Sequence, residues 1–419
     1  MAKQLIEDTR RETAHLLWQE EWGFYRPDYT RALSNVLPTM YELMGAPLGG
    51  FPTMTHALPA ATPRSIPKVM LLTMDSLGYK EFAESDRFTA LYEQYGTWIT
   101  SVFPSITSCA LTSLYQGLPP ARHGILGHEI WKDFPGAVVD MLRMAVQGAR
   151  APLVEAGFDL QQWKQEPGLL DLESAQALTG YHLMPYRIVS SGLSLYTYGH
   201  AQRMGYADFY EGLTKAARML TEMERGWVSL YHAVVDTLAH VLGGEHPAVG
   251  LAVNQVEQAL TWMAGQVPRQ VADETLLVVL ADHGQTTTQH SIPLYGEKAE
   301  WLSEHTKAVG YSGRVMHVYL GDYPAGPVVA WLQELIGDAG LVLPFDQVAH
   351  LAGEGHNPDW VRQSLGDLVV LLRDGWNWDK RRVSPEASPY ESRLVSQHGA
   401  LGWDEMFIPM LAAPLSALL

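Results

Sequence analysis

Four times this chain runs through a short apolar stretch and stops at an acidic residue. KVMLLTMDSLG (68–78) ends in Asp75, Ser76 and Gly78. WVSLYHAVVDTLAH (227–240) ends in Asp236 and His240, and TLLVVLADHG (275–284) ends in Asp282 and His283. GRVMHVYLGD (313–322) ends in Gly321 and Asp322. Short, nearly continuous apolar runs suit strands buried on both faces. Helix-like segments such as 207–225 and 247–266 lie between them. The alternation predicts an α/β fold: a central, mostly parallel sheet with helices on both faces. Asp and His are costly to bury unpaired, yet the carboxyl ends of central strands are where such folds keep their chemistry.

The 419 residues allow one large domain with insertions, or two domains. Residues 1–65 read as an N-terminal helical arm and linker. Helical periodicity covers about 5–22 and 40–45, followed by the Pro-, Gly- and Thr-rich LGGFPTMTHALPAATPRSIP. Residues 66–419 are then expected to form a catalytic domain. Within it, 286–312 and 322–395 look like insertions, a cap-like segment of about 286–392. A net charge of −17 argues against a nucleic-acid polymer as partner. The single cysteine, Cys109, excludes an intrachain disulfide framework and a Cys-based zinc cluster. The charged N-terminus lacks the apolar core of a signal peptide. No run of about 18 apolar residues marks a membrane span. No membrane association and a cytoplasmic location are the resulting expectations; the oligomeric state stays open.

Asp75, Asp236, His240, Asp282, His283 and, far along the chain, His398 all fall where strands should end. Three carboxylates and three imidazoles form a natural set for two divalent ions, and such a pair suits phosphoryl chemistry. Asp236 and His240 are four apart, which one helical turn places on one face. Each piece also has an ordinary reading: an Asp at a strand end caps a helix, and a His before Gly is commonly a satisfied core or surface residue. Among 16 histidines many must be bystanders, His290, His305 and His317 for example. The second informative stretch is VFPSITSCALTSLYQGLPPARHGILG (102–127), with five Ser or Thr residues and the sole Cys. A hydroxyl nucleophile on a loop entering a helix has backbone N–H groups beside it to hold a phosphoryl oxygen. A plain Ser/Thr loop with an N-cap is the alternative. No G-x-S-x-G elbow, Walker loop or G-x-G-x-x-G occurs.

Taken in order, these stretches resemble the type I phosphodiesterase/nucleotide pyrophosphatase family of the alkaline phosphatase superfamily. The likeness runs over about 68–290 and again over 393–415. It is carried by MLLTMDSLG, by FPSIT followed by QGLPPARHGI, by VVDTLAHVLG, by LADHG and by QHGALGWDEMFIP. The resemblance implies an alkaline phosphatase-like fold with two divalent ions, zinc or else manganese. It implies that Asp236, His240 and His398 bind one ion and Asp75, Asp282 and His283 the other. Thr107 falls at the nucleophile position and bridges towards the second ion; register from Gly117 and His123 favours it over Ser105, Ser108 and Cys109. Ala110 stands where the nucleotide pyrophosphatase branch carries an Asn, which points away from nucleotide substrates.

The implied activity is hydrolysis of a small anionic phosphate ester, a phosphodiester or pyrophosphate, through a phospho-threonine. Three Asp at −3 and two divalent ions at +4 leave the site at about +1 with neutral His, suited to an anion. Within the superfamily the alternatives are a phosphomonoesterase, a phosphonate hydrolase and a phosphate mutase. A monoester needs extra positive charge, for which Arg122 and Arg314 are candidates. A sulfatase is disfavoured because CALTS lacks the Pro and Arg of the sulfatase motif. Outside enzymes, the alternative is a metal-stabilised or metal-free scaffold that binds a partner through 1–65. Specificity is expected in 130–225 and 286–392, whose Tyr181, Tyr186, Tyr196, Tyr198, Trp376 and Trp378 suit either core or pocket.

Overall fold

The computed structural model describes residues 2–149, 151–380 and 394–419. Residues 381–392 of the expected insertion, and position 393 of the closing stretch, lie outside them. Seven strands form the central sheet: β1 (Lys68–Met74), β2 (Gly96–Thr100), β3 (Thr179–Pro185), β4 (Gln202–Tyr206), β5 (Gly226–His232), β6 (Thr275–Leu280) and β7 (Phe407–Pro414). Their order is β2-β7-β6-β1-β5-β3-β4. Only β7 runs against its neighbours, β6 and β2; the other pairings are parallel. Every residue of β1 and of β6 is buried, so helices and loops cover both faces there.

Register puts the chemistry at one edge. Met74 at the end of β1 pairs with His232 of β5, and Thr73 pairs with Leu280 of β6. Three adjacent parallel strands therefore end side by side, and Asp75, Asp236 and Asp282 all follow within a few residues of those ends. Among the helices are α1 (Leu33–Leu43), α2 (Thr107–Gln116), α3 (Phe209–Glu222), α4 (Val234–Leu242) and α5 (Pro247–Ala264). Asp208 caps α3 by accepting from the Glu211 N–H at 2.9 Å. Pro247 opens α5, where its missing N–H costs nothing.

Four parts of the structure differ from the periodicity. GRVMHVYLGD reads as a further strand of the parallel sheet, but Val315–Tyr319 lies in a separate antiparallel sheet. That sheet runs in the order Ala308–Ser312, Val315–Tyr319, Leu368–Leu372, Gly340–Pro344. An apolar run reports burial, not which sheet buries it. Strands β2, β3 and β4 escape notice because their apolar runs are short or broken by polar and glycine residues. In the N-terminal segment the helix expected at 5–22 spans Ala2–Thr13, and Leu17–Gln19 instead pairs with Phe24–Tyr25. The helix expected at 40–45 is α1, which begins at Leu33 and buries every residue but Glu42. It packs on α2, so the segment 1–65 supplies part of the main core rather than lying wholly outside it.

The inserted sheet has its own core, with Met316, Val318, Leu332, Val370, Leu372 and Trp378 packed together and Trp376 against them. Tyr196 and Tyr198 are buried in the main core, whereas Tyr186 is 61% exposed. Among the described residues no helix is long and apolar enough to cross a membrane.

Candidate metal centre

At the shared edge of β6, β1 and β5, two trios of side chains converge. Asp236, His240 and His398 offer atoms within 4.8 Å of one another, and so do Asp75, Asp282 and His283. Helix α4 places Asp236 and His240 one turn apart on one face, with His240 Nε2 3.0 Å from Asp236 Oδ1. His398 arrives from the other end of the chain. The pairing of Ser396–Gln397 with Thr286–Thr287 delivers it, and its Nε2 lies 3.6 Å from Asp236 Oδ1. In the second trio His283 Nε2 is 3.6 Å from Asp75 Oδ1 and 3.4 Å from Asp282 Oδ2.

All three histidines turn the same nitrogen inward. His240 Nδ1 lies 2.8 Å from the Ser396 carbonyl, His398 Nδ1 3.1 Å from the Ser105 carbonyl, and His283 Nδ1 3.1 Å from the Gly284 carbonyl. A carbonyl only accepts, so each Nδ1 carries a proton and each Nε2 is the nitrogen turned toward the carboxylates, His240 Nε2 within hydrogen-bond distance of Asp236 Oδ1. This outer shell is the one expected around imidazoles that bind a metal. The acceptors also lack partners. Asp75 Oδ1 and Asp282 Oδ2 are buried with no hydrogen bond among the described residues. Burial, then the charges of Asp282 and Asp236, push the Asp75 carboxyl well above its ordinary range. Burial also raises Asp282. Burial pushes Asp236 the same way, but the hydrogen bond and charge of His240, with His398 and His283, bring it below its ordinary range. Crowded carboxylates with orphaned oxygens and inward-facing imidazole Nε2 atoms fit divalent cations.

Ser76 ties the trios together. It sits in the left-handed region at φ 62°, a rare setting for a residue with a side chain. Its N–H donates to Asp282 Oδ1 at 3.2 Å, and its hydroxyl donates to Asp236 Oδ1 at 3.0 Å and lies 3.1 Å from His283 Nδ1. Tyr231, from β5, donates its hydroxyl to Asp75 Oδ2.

Thr107 opens α2, and its Oγ1 stands 3.1 Å from His283 Nε2. The neighbouring hydroxyls and thiol are occupied elsewhere. Ser105 donates to the Ala400 carbonyl at 2.7 Å, Ser108 donates to the Gly127 carbonyl at 2.9 Å, and Cys109 is wholly buried in the main core. Ala110 is also wholly buried in that core. Ser108 Oγ further meets His128 Nδ1 at 2.8 Å. Burial lowers His128 to about 4.

The two arginines considered for the site are committed elsewhere. Arg122 pairs with Glu166 at 2.5 Å, and Arg314, fully buried, pairs with Glu405 at 2.5 Å. Of the bystander histidines, His290 packs on Trp376, His305 stacks on Trp301, and His317 bonds to Ser312 and the Leu365 carbonyl. Sequence reasoning missed the parts played by Ser76, Tyr231 and His128. Ser76 adjoins Asp75 and His128 directly follows 102–127, so position hinted at both; nothing marked Tyr231.

A family model described as type I phosphodiesterase/nucleotide pyrophosphatase matches residues 69–404. The chain belongs to this family. Its fold is that of the alkaline phosphatase superfamily. It resembles murine ectonucleotide pyrophosphatase/phosphodiesterase 5 at a TM-score of 0.63 and 16% identity, covering 83% of this chain and 88% of that one. An inactive variant of that murine protein in complex with AMP matches at 0.60 and 16%, covering 83% and 87%. Phosphonoacetate hydrolase from Sinorhizobium meliloti, in complex with phosphonoformate, matches at 0.56 and 15%, covering 86% and 97%. Comparison with curated protein sequences gives no significant match. Membership of the family makes the chain a phosphoester hydrolase, and both trios and Thr107 lie within the matched span.

Proposed function

We propose that this centre hydrolyses small phosphodiesters or pyrophosphates by way of a phosphoryl group carried on Thr107. The observation that carries the proposal is the placement of Thr107 Oγ1 at the start of α2, 3.1 Å from His283 Nε2 and so at the rim of the second trio. Asp236, His240 and His398 would hold one divalent cation, and Asp75, Asp282 and His283 the other. Zinc suits these nitrogen and oxygen donors, with manganese the second choice. Two such cations supply Lewis acidity and offset the charge of three carboxylates.

The chain's own residues do the rest. Thr107 Oγ1 attacks phosphorus, a Thr107 O–P bond forms, and the ester oxygen leaves on the opposite side. The first N–H groups of α2 point at the phosphoryl oxygens that Thr107 has taken on. Water then attacks the same phosphorus, and Thr107 recovers its hydroxyl. Two in-line displacements leave the configuration at phosphorus unchanged. Ser76 keeps Asp236, Asp282 and His283 in register through both steps, and Tyr231 fixes Asp75.

Phosphonate hydrolysis at the same Thr107 is the second reading, supported by the likeness to phosphonoacetate hydrolase over 97% of that protein. The test is to quench the metal-loaded protein in acid during turnover of an aromatic phosphodiester and sequence its peptides by mass. The expected result is a phosphoryl increment on the peptide holding Thr107, absent from Thr107→Ala. An unmodified peptide together with full turnover by Thr107→Ala refutes the proposal.

A further inference from the structure

The turn Ser312–Gly313–Arg314 links two strands of the inserted sheet, yet its backbone lies flat against the segment holding His398. The Arg314 N–H donates to the His398 carbonyl at 3.0 Å. A Cβ on Gly313 would stand 2.0 Å from that same carbonyl, and a Cβ on Gly399 2.2 Å from the Ser312 carbonyl. Both glycines have positive φ, 60° and 114°. Only glycine lets two backbones approach so closely in that conformation. The Ser312 hydroxyl also accepts from the His128 N–H at 2.9 Å, so the same turn touches the loop that follows the nucleophile helix.

The Arg314 side chain then extends the clamp. Nε donates to the Trp376 carbonyl at 3.2 Å and Nη2 to the Leu372 carbonyl at 2.8 Å, both within the insertion. Nη1 donates to Glu405 Oε1 at 2.5 Å and to Asp374 Oδ1 at 3.1 Å. Glu405, itself fully buried, accepts from the Ala400 and Gly402 N–H groups at 3.1 and 2.8 Å. The turn 398–405 is thus held at its first residue through backbone and at its last through a carboxylate, and one arginine grips both.

We propose that Arg314 is a positioning residue for His398: through the turn 398–405 it aims His398 Nε2 at Asp236 and His240. The inserted sheet is then a structural part of one metal trio and not only a cover over the site. This rests on the reading that Asp236, His240 and His398 hold an ion. Removing the partner that orients a metal ligand typically costs roughly 10–100-fold in metal affinity. Because the guanidinium fork meets several acceptors at once, lysine does not replace it.

The test isolates each trio by mutation and titrates zinc against a competing chelator. In an Asp282→Asn background, where the His398 trio is intact, Arg314→Lys is expected to weaken zinc about tenfold or more. In a His240→Ala background, where the Asp282 trio is intact, Arg314→Lys is expected to change zinc affinity by less than about twofold, as for an uncoupled site. Should Arg314→Lys fail to fold, Arg314→Met with Glu405→Leu removes both buried charges together, which cores tolerate far better than a lone charge. That pair is expected to show the same asymmetry. Equal losses in both backgrounds, or none in either, overturn this proposal alone. Failure of the wild-type chain to bind zinc overturns it together with the metal reading.

Discussion

The imidazoles of His283 and His398 stack with their centres 3.7 Å apart and their planes 17° apart. They belong to different trios, and 115 positions separate them in the chain by the difference of their numbers. Ser76 makes a second bridge between the trios, touching both Asp236 and His283. The two candidate metal positions are therefore built on a shared wall.

Metal removal should accordingly cost both activity and stability. Each trio gathers residues from distant parts of the chain, so a bound ion ties those parts together. A free ion at about 100 times its dissociation constant stabilises the fold by about 2.7 kcal/mol. Excess chelator is expected to abolish hydrolysis and lower Tm, with zinc or manganese restoring both. Full activity after verified metal removal contradicts the assignment.

Thr107→Ala is expected to lose most turnover while keeping near-normal metal content, because both trios survive the change. Thr107→Ser should keep measurable activity, since the hydroxyl remains. Cys109→Ala should leave kcat near wild type, for the thiol is buried in the core and burial pushes its pKa well up, away from nucleophilic duty. Turnover by Thr107→Ala together with a dead Cys109→Ala would show that the nucleophile lies elsewhere.

Diesters should be preferred to monoesters. The extra charge of a monoester dianion needs cationic partners, and Arg122 and Arg314 are each locked in an ion pair with a glutamate. Bis-(p-nitrophenyl) phosphate should exceed p-nitrophenyl phosphate in kcat/KM by about tenfold or more, about 1.4 kcal/mol of transition-state preference. Kinetics of the two at one pH and one zinc concentration decide the matter; a monoester preference would move the protein towards the phosphatases.

Acid should destabilise the fold through a histidine outside the trios. His123 is fully buried, and burial first, then the charges of Lys132 and Lys164, hold it down to about 3. Its ring accepts from the Ile125 N–H at 3.1 Å and meets Ser113 Oγ at 2.8 Å, an arrangement for the neutral form. The unfolded chain protonates this group near 6.5. Between those values the unfolded state binds more protons, so the contribution is complete above about pH 6.5 and declines by about 1.4 kcal/mol per pH unit as pH falls. Glu81, pushed up to about 8 by burial, works in the opposite sense between its ordinary carboxyl range and pH 8. The measurement is therefore a difference: urea melts of metal-free wild type and His123→Gln from about pH 7 to about pH 4. The wild type should lose more stability over that interval; parallel curves would contradict the assignment.

Legibility differed between elements for physical reasons. The apolar runs at 68–74 and 275–280 were plain because strands buried on both faces tolerate few polar residues. Helices α3 and α5 were plain because their apolar positions recur at the helical period. Strand β4, QRMGY, was hidden because it lies at the edge of the sheet and keeps polar residues. GRVMHVYLGD holds a strand, as its apolar run indicates, but in a different sheet, since hydrogen-bond partners leave no trace in a single run of side chains. Helix α1 was obscured by the Pro-rich stretch that follows it, although its own residues are almost all buried.

By itself the sequence determined the residue types of the site, their order, and the sheet they would border. Asp75, Asp236 and Asp282 could be nominated because each follows a buried strand, and local physics links a buried strand to the edge where it ends. Which carboxylate meets which imidazole, and which hydroxyl faces His283, follow from no local pattern: the family resemblance implies both groupings and Thr107, and tertiary structure brings those residues together and alone reveals that Ser76 joins the two trios. Tertiary structure also decided that Arg314 grips the His398 segment instead of entering the site. The reason is that a strand or helix is fixed by neighbours within a few residues, whereas these contacts join residues up to hundreds of positions apart. Their distances are set by the register of the central sheet and by the packing of the inserted sheet against it, and no local pattern encodes either.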